Sequence, residues 1–271
     1  MSGTGKVVLV SGGTFGIGRA ITLGLAARGH SLVAFGLEAP QVSSTAQAAI
    51  PGLRSELAQR GLSAELMEAD VSQSGDVAGV VDAALAKFGR IDAIVNNAAI
   101  GPLGTVLDTD EALFDRIMAV NLKGPYLMSR AVLPHMIRQG GGSIVNIGSG
   151  AGWGKPNMAV YSASKGGLAA LSTAMAYDFI HDGIRINTVI PGGGGIVSGM
   201  SLGRVGGVES RLGKGAPGTA AGRAATGDDV ADVVAFLLSA EAETLSGTVI
   251  DVGCFSHQGG PVPPKPAAKV A

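Results

Sequence analysis

The chain has 271 residues, enough for one large α/β domain, and carries a formal net charge of −1 with no basic cluster, so nothing in it points to nucleic acid. Apolar residues make up 46%, which a parallel sheet covered on both faces produces by itself, and no stretch approaches the roughly 18 uninterrupted apolar residues of a membrane span. The single cysteine, Cys254, excludes an intrachain disulfide and a cysteine-cluster metal site, and His30, His135, His181 and His257 are scattered without ligand spacing, so no metal is expected.

The opening residues, small and polar, lead directly into a first strand with no signal peptide visible, which with the lone cysteine implies a reducing, cytoplasmic setting. That strand, 6–11, is short, apolar and β-branched, as a buried parallel strand should be. Then comes Ser11-Gly12-Gly13-Thr14-Phe15-Gly16-Ile17-Gly18, followed by a helical pattern over 17–29 that stops at Gly29. Strand, glycine turn and helix form the context of a phosphate cradle. Glycines allow a tight turn and close backbone approach, and the helix N-terminus offers free N–H groups to a pyrophosphate. The spacing, Gly-x3-Gly-x-Gly, is neither the Gly-x-Gly-x2-Gly of two-domain dehydrogenases nor an ATP-binding P-loop.

Further strands are expected at 31–36, 64–69, 91–96, 143–148, 185–190 and 248–252. Helices are expected at about 41–60, 75–88, 111–138, 161–181 and 228–239. The alternation implies one doubly wound parallel sheet of about seven strands, in the order 3-2-1-4-5-6-7, with helices on both faces. Residues 1–258 form one domain, with a mobile tail at 259–271. Within it, 192–222 holds twelve glycines, and Arg204, Arg211 and Lys214 outnumber Glu209 there. A long irregular segment inside a compact domain reads as a functional lid over a substrate.

Tyr161 and Lys165 lie in the run Tyr161-Ser162-Ala163-Ser164-Lys165, one turn apart on one helix face. A phenol beside an ammonium is a proton-transfer device, because the cation favours phenolate and draws the phenol's pKa toward working pH.

The glycine turn and the Tyr-x3-Lys pair together resemble the short-chain dehydrogenase/reductase family, and the resemblance runs from about Lys6 to Gly253. Asp70-Val71 ends the third strand where family members contact the adenine. Asn96-Asn97-Ala98-Ala99 resembles the family's Asn-Asn-Ala-Gly with its last glycine replaced. Asn121 matches the helix asparagine that anchors a proton-relay water, Ser149 the catalytic serine, and Pro191-Gly192 follows the sixth strand as in the family. The resemblance implies an oxidoreductase moving a hydride between a nicotinamide cofactor and a secondary alcohol or ketone. Its catalytic residues would be Asn121, Ser149, Tyr161 and Lys165. Tyr161 acts as general acid/base, Ser149 donates to the carbonyl oxygen, and Lys165 also bonds the nicotinamide ribose. Cofactor contacts are expected from Gly12, Thr14, Phe15, Gly16, Ile17, Gly18, Glu38, Asp70, Val71, Asn97, Ala98, Tyr161, Lys165, Pro191 and Gly192. A different-class rival is a dinucleotide-binding sensor or scaffold without turnover.

The match departs from the family in other places too. After the second strand, Gly36 stands at the usual Asp position and Leu37 at the usual Arg position; Glu38 is the only nearby charge and favours NAD over NADP. Phe15, where NADP-using relatives often carry a basic residue, points the same way. Ser198 is a candidate for the threonine that often follows Pro191, and Asp251-Val252-Gly253-Cys254 replaces the usual Val-Asp-Gly-Gly end. Trp153, Met158, Val160, Ile196 and Met200 are expected as apolar walls of a substrate pocket built from 100–103, 150–160 and the lid. A homo-oligomer, tetramer or dimer, is expected, with no nucleic-acid or membrane partner.

Overall fold

A computed structural model describes residues 5–38, 49–192, 196, 201 and 219–253. Almost all of the expected lid, including Ser198, Met200, Arg204, Glu209, Arg211 and Lys214, lies outside these residues, as do the tail, Cys254 and the first part of the helix expected at 41–60.

Seven strands form one all-parallel sheet: β1 Val7–Ser11, β2 Ser31–Gly36, β3 Glu65–Glu68, β4 Ala93–Asn96, β5 Gly142–Ile147, β6 Ile184–Ile190 and β7 Val249–Asp251. They lie in the order β3-β2-β1-β4-β5-β6-β7, the doubly wound order expected. The order reverses at β1, between β2 and β4, which is where such a sheet opens a crevice at its carboxyl edge.

The helices are α1 Gly16–Ala27, α2 Ala49–Gln59, α3 Ser74–Phe88, α4 Glu111–Met118, α5 Gly124–Gln139, α6 Ala159–Asp178 and α7 Gly227–Leu238. Strand alternation sorts the core into two layers. Val8, Val10, Leu32, Ala34, Val95 and Val145 pack against α1, α2 and α7, through Ile21, Leu25, Leu53, Val230 and Val234. Leu9, Val33, Phe35, Ile94, Ile144 and Ile186 face α3, α5 and α6, through Val80, Ala84, Met128, Val132 and Met175. Among the described residues no helix is long and apolar enough to cross a membrane.

One expected helix differs. Residues 111–138 do not form a single α-helix: a π turn at Ala119–Lys123 joins α4 to α5, and the Gly124 N–H reaches back five residues to the Ala119 carbonyl. Periodicity cannot register this, because a one-residue widening leaves the apolar pattern helical on both sides. His30 lies in the connection between α1 and β2. It is half-buried and its Nδ1 accepts from the Lys6 N–H at 3.1 Å.

Candidate active site

The cleft at the carboxyl edge has a volume of about 430 Å³. Gly12, Thr14, Phe15, Gly16, Ile17, Glu38, Asp70, Val71, Asn97, Ala98, Tyr161, Lys165 and Pro191 all line it, from loops and helices far apart in the sequence. Gly18, Gly192, Asn121 and Ser149 do not line it.

The β1–α1 turn is built for a close ligand. Gly12 has φ of +61°, a conformation that L side chains rarely adopt, and a Cβ on Gly18 would stand 1.9 Å from the Gly12 carbonyl oxygen. Gly18 is thus a packing glycine that lets helix and turn touch. The turn is pinned from the next strand, where Asn97 Nδ2 donates to the carbonyls of Ser11 at 3.2 Å and Gly12 at 2.9 Å. The Ser11 hydroxyl in return accepts from the N–H groups of Asn97 and Ala98. At α1 the N-cap position is Phe15, which makes no side-chain cap, and the first turn holds no acid. The helix N-terminus therefore faces the cleft with its N–H groups available to an anion. A pyrophosphate fits this cradle.

Glu38 lines the cleft, but its carboxylate also accepts from the Ala49 and Ile50 N–H groups at 3.1 and 2.9 Å, capping α2. No local pattern hints at this second task, because the partner amides lie on the far side of the connection to α2.

At the far end lies the phenol–ammonium pair. Tyr161 and Lys165 are 7% and 3% exposed, and Lys165 Nζ sits 6.0 Å from the Tyr161 ring centroid. Nζ donates to the Ile147 carbonyl at 2.7 Å. No carboxylate among the described residues pairs with Lys165, and burial alone pulls its pKa down to about 8. Ser149 follows β5 and caps the short 3-10 turn Gly150–Trp153, accepting from the Ala151 N–H at 3.1 Å. That leaves its hydroxyl proton free to donate elsewhere.

Asn121, fully buried within the π turn, is spent on architecture. Its Oδ1 accepts from the Ile100 N–H at 2.9 Å, and its Nδ2 donates to the Ile100 carbonyl at 2.8 Å and to Ser164 Oγ at 3.0 Å. Ser164 in turn donates to the Tyr161 carbonyl. Both amide protons are thus committed to holding the segment after β4 against α6. Of the residues expected as pocket walls, Val160 and Ile196 are buried in packing, Trp153 is more than half exposed, and none of them or Met158 lines the cleft.

The sequence reading missed Arg116, on α4, which lines the cleft. It donates to Asp70 Oδ2 at 3.0 Å and to Ser72 Oγ at 3.1 Å. No local pattern could have found it, since its partners are more than forty residues away and on another crossover. Among the described residues there is no cluster of three His, Cys, Asp or Glu side chains that could hold a metal ion.

A family model described as enoyl-(acyl carrier protein) reductase matches residues 12–254. The chain is 35% identical to 2-(S)-hydroxypropyl-CoM dehydrogenase 3 of Xanthobacter autotrophicus, over 91% of this chain and 94% of that one. It is 33% identical to the 3-oxoacyl-[acyl-carrier-protein] reductase FabG of Thermotoga maritima, over 92% and 96%. A solved 3-ketoacyl-(acyl-carrier-protein) reductase of Brucella melitensis, complexed with NADH, superposes with a TM-score of 0.78 at 30% identity, covering 93% of this chain and 98% of that one. Together with the seven-stranded parallel sheet and the glycine turn at its switch point, these matches show that the chain belongs to the short-chain dehydrogenase/reductase family of oxidoreductases.

Proposed function

We propose that the protein interconverts a secondary alcohol and a ketone with a nicotinamide dinucleotide, Tyr161 serving as general acid/base. The observation that carries this reading is the buried cation. Lys165 is held beside Tyr161 with no carboxylate partner among the described residues, at the end of a cleft whose other end is an anion-receiving glycine turn. A structural lysine would be expected to pair with an acid or reach water. One without either suits a group that must appear beside a charge formed during reaction.

The residues of the β1–α1 turn, with Asp70, Val71, Asn97, Ala98, Pro191 and Gly192, would hold the dinucleotide, and its nicotinamide supplies or accepts the hydride. In reduction the phenol of Tyr161 gives its proton to the oxygen that becomes the alcohol; in oxidation the phenolate takes it back. Lys165 stabilises the negative charge that appears on the phenol oxygen. Ser149, with its proton uncommitted, donates to the substrate oxygen and cannot compete as an acid. Asn121 keeps the wall of the site in register; a relay water at this residue would use the remaining lone pair of Oδ1 or the main chain.

Glu38 beside the cleft supports NAD over NADP, since a carboxylate accepts from a ribose 2′-hydroxyl and repels a 2′-phosphate. The names of the two curated relatives, a hydroxypropyl dehydrogenase and a 3-oxoacyl reductase, support a small-molecule alcohol/ketone pair. The apolar groove between α4, α5 and α6, lined by Met118, Leu122, Tyr126 and Leu171, supports a homo-oligomer, tetramer or dimer. A cytoplasmic setting accords with nicotinamide chemistry.

The test is a panel of ketones, secondary alcohols and an enoyl thioester with NADH, NADPH and their oxidised forms, followed at the nicotinamide absorbance. Turnover of ketones or alcohols is expected. Reduction of the enoyl thioester alone would replace the alcohol/ketone assignment, and binding of a dinucleotide with no turnover would support a sensor.

A further inference from the structure

Asn157 is the one non-glycine residue with a left-handed backbone among the described residues, at φ of +56°. Asparagine enters this region more readily than most residues, but an ordinary side chain there is opposed by its own Cβ. The Asn157 side chain does not hold the bend: it is exposed and makes no hydrogen bond among the described residues. The backbone is what uses it. The Asn157 carbonyl accepts from the Gly104 N–H at 2.8 Å, and the Gly104 carbonyl accepts in return from the Ala159 N–H at 3.4 Å. Gly104 and Met158 thus form a single parallel bridge outside the main sheet.

The bridge stands where α6 begins. Ala159 is the first residue of α6, and Met158 before it supplies no side-chain cap, so the Gly104 carbonyl serves an amide that the helix itself leaves unpaired. Tyr161 lies in the same first turn, where a helix frays most easily. The segment after β4 reaches α6 a second time, beyond the tyrosine. Asn121 holds Ile100 and donates to Ser164 Oγ, which donates to the Tyr161 carbonyl. Residues 100–104 therefore clasp the first turn of α6 from both sides of Tyr161. Their Gly104 end is made firm by the next turn, where Asp108 Oδ2 accepts from the Thr105 N–H at 2.9 Å and from Thr105 Oγ1 at 2.6 Å. We infer that Asn157 is a positioning residue for the alcohol–ketone reaction. Its left-handed backbone, and not its amide group, sets α6 against residues 100–104 and so fixes where the Tyr161 hydroxyl meets the substrate oxygen. An ordinary side chain at 157 favours a right-handed or extended backbone, withdraws the carbonyl from Gly104 and leaves the first turn of α6 held from its far side alone. The inference rests on reading Tyr161 as the general acid/base.

Asn157→Gly keeps the bend and removes the amide group, whereas Asn157→Ala and Asn157→Val carry a Cβ that opposes it. Three quantities are compared with wild type: exchange of the Gly104 and Ala159 amides by NMR in the ligand-free protein, NADH and NADPH affinity by fluorescence titration, and kcat and KM for the ketone of the panel that wild type reduces fastest. In the alanine and valine variants the Gly104 amide should exchange about tenfold faster, the shift that the left-handed penalty imposes on an ordinary side chain. Their kcat should fall by about tenfold to a hundredfold, as for a proton donor displaced by about 1 Å, with KM and dinucleotide affinity close to wild type. Asn157→Gly should restore both the exchange rate and kcat. A bend of merely structural use would lower the unfolding midpoint and leave kcat in place. If the valine variant does not fold, the alanine variant decides. Wild-type kcat or wild-type Gly104 exchange in Asn157→Ala, or a glycine variant as slow as the alanine one, each overturns the assignment of Asn157 while leaving Tyr161 in its role. Turnover of no ketone or alcohol by wild type would overturn the reading of Tyr161, and this inference with it.

Discussion

Lys165→Met should stabilise the ligand-free protein at neutral pH, and the gain should shrink as the solution becomes alkaline. In the folded chain burial lowers the ammonium's pKa from 10.5 to about 8. Below pH 8 the lysine carries its proton in both folded and unfolded states, so the cost of burying the charge is borne in full. As pH rises through about 8 the folded lysine gives up its proton while the unfolded one keeps it until about 10.5, and the unfolded state then binds more protons. Wild-type stability must therefore rise across this window. At about 1.4 kcal/mol for each tenfold difference in proton affinity, the two values correspond to about 3 kcal/mol, most of it gained by pH 10. Methionine does not titrate, so the stability gap between variant and wild type should narrow by roughly that amount between pH 7 and 10. Guanidinium chloride unfolding of both proteins at matched concentration and several pH values measures it, with the comparison cancelling the titrations they share. A gap that stays constant over this range would show that Lys165 keeps an ordinary proton affinity, and the argument that an unpaired cation is held in the site would fail.

Three other outcomes bear on the site. Tyr161→Phe should lower turnover by about 10²–10⁴-fold with dinucleotide affinity almost unchanged, and activity above about a third of wild type would sink the proton-transfer role. Gly18→Ala forces a methyl to within 1.9 Å of the Gly12 carbonyl and 2.5 Å of Asn97 Nδ2, so the turn must open; titration should show dinucleotide affinity lower by about tenfold or more, and wild-type affinity would mean that the turn is not the cradle. Glu38→Ala should do two things at once: lower stability by about 1 kcal/mol through the lost α2 cap, seen in chemical unfolding, and narrow a preference for NADH over NADPH, seen in initial rates. A wild type that already prefers NADPH would refute the second part alone.

The sheet was legible because its strands are apolar runs between helical periods, a pattern that a doubly covered parallel sheet imposes along its whole length. The glycine turn was legible for a related reason: Gly12, Gly16 and Gly18 answer to backbone geometry within seven residues, and local geometry leaves local marks. Tyr161 and Lys165 share one helix face and could be paired by counting. Contacts between crossovers carry no such mark. Arg116 looks like any exposed helical arginine until β3 and α4 are folded to the same edge. Glu38 shows in the sequence only as a candidate ribose contact, and its second task appears once α2 brings two amides to it. Asn121 was found as a residue, but the use of its amide was not, since the Ile100 backbone and Ser164 that it bridges lie 21 and 43 residues away.

The π turn between α4 and α5 acts as a phase shifter. An α-helix advances about 100° per residue, so a turn widened by one residue displaces the azimuth of everything before it relative to everything after it. Arg116 and Asn121 owe their aim to that offset, one toward Asp70 and the other toward Ile100 and Ser164, while Met128, Val132 and Met136 of α5 keep facing the sheet. Winding 119–123 into a regular α-helix at unchanged length would remove that offset. It would swing α4 by about a quarter of a revolution, carrying the arginine away from its acid while the core beneath α5 stayed intact. The wider hydrogen-bond step of these five residues thus sets the aim of a whole helix.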